Sequence, residues 1–237
     1  MAIRWKPLVL GAAAGTVALL LLVRWIGWDS IVDQRDDLLF YLHAHVFLVV
    51  VSMLAALAVG IPAGILLSRP RFIGTAERFM QVFNIGNTIP PLAVLAIALG
   101  FLGIGNGPAI LALFMASLLP IVRNTYEGLK NVPGSLKEAA VGIGMTPGQV
   151  LWQVELPNAV PIIVGGVRVA LALNVGTTPL VFLIGANSLG SLIFPAIALE
   201  NQPQLVLGAS ATALLALVMD GLVLIASRLW LERGLAR

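Results

Sequence analysis

Residues 159–186 read AVPIIVGGVRVALALNVGTTPLVFLIGA, an almost unbroken apolar run whose single charge is Arg168. About 20 mostly apolar residues span the hydrocarbon core of a bilayer at 1.5 Å per residue. This run therefore reads as a membrane span. Four others are as clear: Pro7 to about Ile26, about His45 to Leu67, Pro108 to Val122, and Gln204 to Ser227, which holds Asp220. A sixth is diluted. It enters from Thr75, passes Asn84, Asn87 and Pro90-Pro91, and continues through Leu92–Ile104. The expected fold class is an all-α polytopic membrane protein with about six transmembrane helices.

Composition agrees. Hydrophobic residues make up 59% of the 237 and charged residues 11%, against about 45–50% and 25% in soluble domains. Mean hydropathy is +0.99. So few charges would not cover the surface of a soluble globule, and disorder requires the opposite composition. The absence of cysteine excludes disulfides, thiolate zinc sites and cysteine nucleophiles.

Charge placement orients the chain. With the N-terminus in the cytoplasm, the inner segments carry Arg4, Lys6, Arg69, Arg71, Arg78, Arg123, Lys130, Lys137, Arg228, Arg233 and Arg237, and the outer ones only Arg24 and Arg35. That bias follows the positive-inside rule and places both termini in the cytoplasm. The net charge of +3 is thus a topology signal, and no nucleic-acid partner is expected. The first span ends in Arg24-Trp25-Ile26-Gly27-Trp28 without a small-x-small cleavage site, so it reads as a retained anchor. The expected organisation is an N-terminal anchor and outer acidic loop over 1–44, a transmembrane domain over 45–227, and a cytoplasmic tail over 228–237. The outer segment 187–203 is expected to return as a short re-entrant or interfacial helix.

Several chemistries are missing. None of the three lysines follows a glycine, so there is no Walker A loop. There is no His-Glu-x-x-His pair and no Gly-x-Ser-x-Gly elbow. His43 and His45 read as interfacial residues at the start of the second span, and no metal ligands or catalytic residues are expected. The two charges inside spans, Arg168 and Asp220, lie at similar depths and are expected to form an interhelical ion pair.

The inner loop 123–158 is the one segment large enough to fold outside the membrane. Ser135–Val141 reads as a short helix that Gly142 or Gly144 ends. Thr146-Pro147 reads as a helix start, an N-cap followed by a first-turn proline. Pro157 is expected to break that second helix before the fifth span. The small residues of this helix–turn–helix suit close approach by another protein.

Glu138-Ala139-Ala140, three residues, Gly144, nine residues, Val154, one residue and Leu156-Pro157 resemble the signature loop of binding-protein-dependent ABC importer permeases. Thr88–Ala96, Gly165–Arg168, Ile184–Ala186 and Leu189-Gly190 are similar to the glycine betaine/carnitine/choline (osmoprotectant) subfamily. The resemblance covers about residues 45–227. It implies a type I ABC importer (MetI-like) permease fold in the bacterial inner membrane, without cofactors of its own. Glu138, Ala139, Ala140, Gly144, Leu156 and Pro157 would couple it to a cytoplasmic ABC ATPase dimer, which binds ATP and magnesium. A periplasmic or lipid-anchored substrate-binding protein and a second permease chain, identical or paralogous, would complete the assembly. Candidate path or hinge residues are Asn84, Asn87, Thr88, Pro90, Asn174, Thr177, Thr178 and Pro179, mild polar groups and helix breakers. Two alternatives are a permease for another small polar solute such as an amino acid, and a self-sufficient secondary transporter.

Overall fold

The computed structural model describes residues 23–86 and 88–235; side chains at 73, 83–86 and 230–235 fall outside the description. The first span up to residue 22, Asn87 and the Asn84 side chain therefore lie outside the described residues. All described regular structure is helical: α1 Trp28–Asp33, α2 Arg35–Leu67, α3 Ile73–Gly86, α4 Pro91–Leu102, α5 Asn106–Lys130, α6 Gly134–Gly142, α7 Pro147–Gln149, α8 Leu156–Thr177, α9 Gly190–Ala198 and α10 Gln202–Leu235. A π segment, Val150–Glu155, joins α7 to α8, and a 3-10 helix, Thr178–Ile184, follows α8. Among the described residues, Arg35–Leu67, Asn106–Lys130, Pro147–Ile184 and Gln202–Leu229 are long and apolar enough to cross a membrane.

The sequence-based boundaries shift in informative ways. The acidic stretch before His45 is helical. α2 starts at Arg35, with Asp36 and Asp37 in its first turn, where carboxylates favour the helix dipole. His45 is consequently about three turns inside α2 and fully buried, not interfacial. His43 is exposed and its Nδ1 donates to the Leu39 carbonyl at 3.3 Å. The diluted third span is two helices, α3 and α4. Pro90 is extended (φ −57°, ψ 140°) and Pro91 opens α4, as consecutive prolines dictate. α5 runs to Lys130, two turns beyond the expected end of its span, because Thr125, Tyr126 and Leu129 are buried and hold the helix together. Within the expected outer segment, residues 190–198 form a helix, α9, with Leu192 and Ala196 buried.

α5 is the centre of the bundle, between α2 and α8. Leu48, Leu95, Ala112, Leu113, Val181 and Ile184 form one core cluster toward the α4–α5 turn. Val49, Met53, Ala56, Ile121, Ala170 and Val175 form the middle. Leu129, Val132, Ala159 and Ile163 close the end that carries loop 123–158. The contacts with α5 are made through glycine. A methyl added to Gly60 of α2 would meet Ile121, and one on Gly64 would reach Thr125 at 2.5 Å and the Val122 carbonyl at 2.8 Å. On α8, Gly166 faces Asn124 and the Pro120 carbonyl, while Gly128 of α5 faces Ala159. Such spacing lets helix backbones approach closely in lipid. α10 packs on α8 and α9 and turns its other face outward, with Leu217, Leu222 and Ile225 exposed.

Replacing Gly64 by leucine should force α2 and α5 apart at a cost of about 1–3 kcal/mol, the range of an overpacked core. The measurement is thermal aggregation of the detergent-solubilised chain. The variant should melt several degrees below wild type, and an unchanged midpoint would contradict this packing.

Candidate functional site

Loop 123–158 condenses into less loop than its length suggests, since residues 123–130 finish α5 and residues 147–158 run into α8. Between them stands α6. Ala140 is its buried residue, whereas Glu138 and Ala139 are exposed. Leu136, Val141 and Ile143 present apolar side chains to the outside at 43, 62 and 77% exposure. The Met145 N–H donates to the Ala140 carbonyl and the Gly144 N–H to the Val141 carbonyl, closing the helix. Gly144 has φ +89°, a conformation that any side chain would strain. Thr146 and Gln149 form a reciprocal capping box, so the expected helix start is there. The expected break at Pro157 is absent. Pro157 occupies the first turn of α8, and the π segment ahead of it absorbs the change of register. Leu156 is half-buried and Pro157 exposed.

At the root of the loop lies Glu155, 7% exposed. Its Oε2 pairs with Arg69 Nη1 at 2.7 Å and its Oε1 with Lys137 Nζ at 3.4 Å. Lys137 Nζ also donates to the Leu129 carbonyl at 3.1 Å. Sequence reasoning missed this cluster, because its three members lie on three separate segments and none forms a motif with another.

Within the bilayer, Arg168 of α8 and Asp220 of α10 make a bidentate pair. Nε donates to Oδ1 and Nη2 to Oδ2, both at 2.7 Å. This planar fork is the strongest arrangement available to the two groups.

The candidate path residues separate into two sets. Asn174 is fully buried. Its Nδ2 donates to Ser52 Oγ of α2 at 2.9 Å and to Ser117 Oγ of α5 at 2.8 Å. The two serines donate in turn to the Leu48 and Leu113 carbonyls. Asn174 thus joins three helices and faces no open path in this conformation. Thr178 is buried as well, its Oγ1 donating to the Asn174 carbonyl at 2.7 Å. Thr177 differs, since it lines a cavity of about 470 Å³ together with Val82, Ile89, Pro91, Leu113 and Leu173. Thr88 and Pro90 are exposed at the α3–α4 break beside it. Pro179 is buried where α8 tightens into the 3-10 helix, and its carbonyl sits against Gly190, where a Cβ would collide. No group of three or more His, Cys, Asp or Glu with metal-binding geometry occurs among the described residues.

A polytopic helical bundle with a compact helical loop at one end and an apolar cavity among its spans has the architecture of a transport permease. The chain belongs to the binding-protein-dependent transport system inner membrane components, whose family model matches residues 56–237. It is 59% identical over 216 residues to the osmoprotectant import permease protein OsmY of Salmonella typhimurium, covering 91% of this chain and 92% of that one. It is 36% identical to the choline transport system permease protein OpuBB of Bacillus subtilis, over 85% of this chain and 92% of that one. It is 40% identical to the glycine betaine/carnitine/choline transport system permease protein OpuCD of the same organism, over 82% of each. Its fold matches that of a chain in the inward-facing MetNI methionine ABC transporter with a TM-score of 0.70 at 23% identity, over 85% of this chain and 98% of that one. The resemblance read from the signature loop and the expected MetI-like fold therefore hold.

Reversing the charges of the intramembrane pair tests its role. Arg168→Asp or Asp220→Arg alone should sharply reduce membrane yield, because each leaves two like charges in hydrocarbon. The double reversal should recover most of the loss, as read by quantitative immunoblot of membranes; no recovery would mean the two groups act independently.

Proposed function

We propose that this chain is the membrane-spanning subunit of an ATP-driven importer for osmoprotectants of the glycine betaine, choline and carnitine class. The observation that carries the substrate class is the 59% identity, over nine-tenths of the chain, to an osmoprotectant import permease. The chain supplies the path, and a separate cytoplasmic ABC ATPase binds ATP and magnesium and does the hydrolysis. A substrate-binding protein on the outer side delivers the solute, and two permease chains together enclose the route. Both termini lie in the cytoplasm, as the positive-inside bias argues.

The geometry of α6 supports the ATPase contact. Glu138 and Val141, three residues apart, are exposed neighbours on one side of α6, and Leu136 and Ile143 are exposed on the other side. Their exposure leaves this short helix open to contact by another protein. Gly144 fixes the turn that presents them. The cavity beside Thr177 and Pro91 supports a weakly polar path. The described residues that line it include no aromatic side chain that could hold a quaternary ammonium ligand by cation–π attraction, and we assign high-affinity recognition to the binding protein.

Two measurements test this reading. Affinity purification of the tagged chain from its own host should bring down an ABC ATPase, and Glu138→Lys or Gly144→Trp should remove it. Uptake of radiolabelled glycine betaine, choline and carnitine should fall to background in a deletion strain and return with the wild-type gene. Uptake of an unrelated amino acid alone would transfer the chain to another cargo, and import without any copurifying ATPase would point to a self-sufficient transporter.

A further inference from the structure

Glu155 lies outside the residues that the family signature specifies, yet its carboxylate is where four parts of the fold meet. It stands at the last position of the π segment, directly before α8. One oxygen pairs with Arg69, just past the end of α2, and the other with Lys137 in α6. Arg69 is fixed to α2 by its own bonds: Nε donates to the Ile65 carbonyl at 3.2 Å and Nη2 to Ser68 Oγ at 2.9 Å. Lys137 is fixed to α5 through the Leu129 carbonyl. Beneath the cluster lies the apolar layer of Leu129, Val132, Ala159 and Ile163. A carboxylate this buried is retained only if paired, and here each oxygen holds a cation from a different segment.

We infer that Glu155 is a positioning residue that makes α6 move as one body with the adjacent ends of α2, α5 and α8, so that displacement of α6 by the ATPase reaches the spans. The inference rests on the reading of α6 as the ATPase contact. Apolar packing alone lets a short helix slide over its base. Two ion pairs, whose cations are themselves held by backbone carbonyls of α2 and α5, oppose that sliding.

The test uses the assembled transporter in proteoliposomes, with Met115→Cys, which lines the same cavity, as reporter; the chain has no other cysteine. Two quantities are read: ATP hydrolysis, and the change in maleimide labelling rate when ATP and vanadate are added. In an otherwise wild-type background, trapping should alter labelling. With Glu155→Gln the ATPase should still copurify and hydrolyse at a similar rate, while the labelling response falls by roughly fivefold or more, the scale of coupling within a charged network. A response unchanged from wild type overturns the inference. So does a parallel fall of hydrolysis and response, which marks a docking or folding defect. Should Glu155→Gln fail to accumulate, Lys137→Gln removes one partly exposed partner and is judged by the same two readings. Failure of the wild-type chain to bring down any ATPase is a separate result, and it removes the proposed ATPase contact itself.

Discussion

Between helices in a bilayer the usual driving force of folding is weak, because lipid tails are as apolar as leucine. What remains is contact distance. Gly60, Gly64, Gly128 and Gly166 let α2 and α8 settle against α5 with backbone and Cβ atoms in direct touch, and dispersion grows steeply as such gaps close. Every other feature of the bundle depends on that proximity. Asn174 reaches serines on two neighbouring helices only because α2, α5 and α8 are this close. The loop end is also drawn together tightly enough for Arg69 and Lys137 to share one carboxylate.

The polar groups then act at three levels along the bundle. Near its middle, Asn174 Nδ2 donates to Ser52 and Ser117, which donate in turn to backbone carbonyls, while Asn174 Oδ1 is buried without a hydrogen-bond partner. Between α8 and α10, Arg168 and Asp220 pair. At the base, Glu155 gathers two cations. Each arrangement gives the donors or charges it withdraws from water a partner of opposite character within the protein. Each also links a different set of helices, so together they fix rotation and register where close packing fixes only distance.

Much of this was legible in the sequence, and the limits have physical causes. Apolar runs locate spans well, since burial in lipid requires them. Run ends locate helix ends poorly, because helices continue into water whenever local packing supports them. α2 extends ten residues before His45 and α5 continues to Lys130 for that reason. The signature loop was legible as a pattern, down to the N-cap at Thr146, though not its reciprocal bond with Gln149. The role of Asn174 was not: a polar residue on a span gives the same sequence signal whether it lines a path or joins helices. Pro157 shows the opposite failure. Proline usually ends a helix, yet at a first-turn position next to a π segment it leaves the helix continuous. Glu155 was invisible for a third reason. Its partners are 86 and 18 residues away, and no local spacing encodes them.

The distribution of rigidity follows from these contacts. At the end that carries α6, ion pairs, a capping box and an apolar layer bind α2, α5, α6 and α8 into one block. Near the cavity the elements are interrupted: α3 and α4 are separated at Pro90, the turn into α5 runs through Gly103 and Gly105 at positive φ, and α8 changes to a 3-10 helix at Thr178. Deformation under load concentrates where backbone hydrogen bonding is already broken. A displacement applied at α6 would therefore pass through the stiff block and appear as rearrangement around Pro90, Gly103 and Thr178, beside the cavity that Thr177 lines. A stiff lever joined to an interrupted segment is the mechanical arrangement that lets an event at one membrane face alter access at the other.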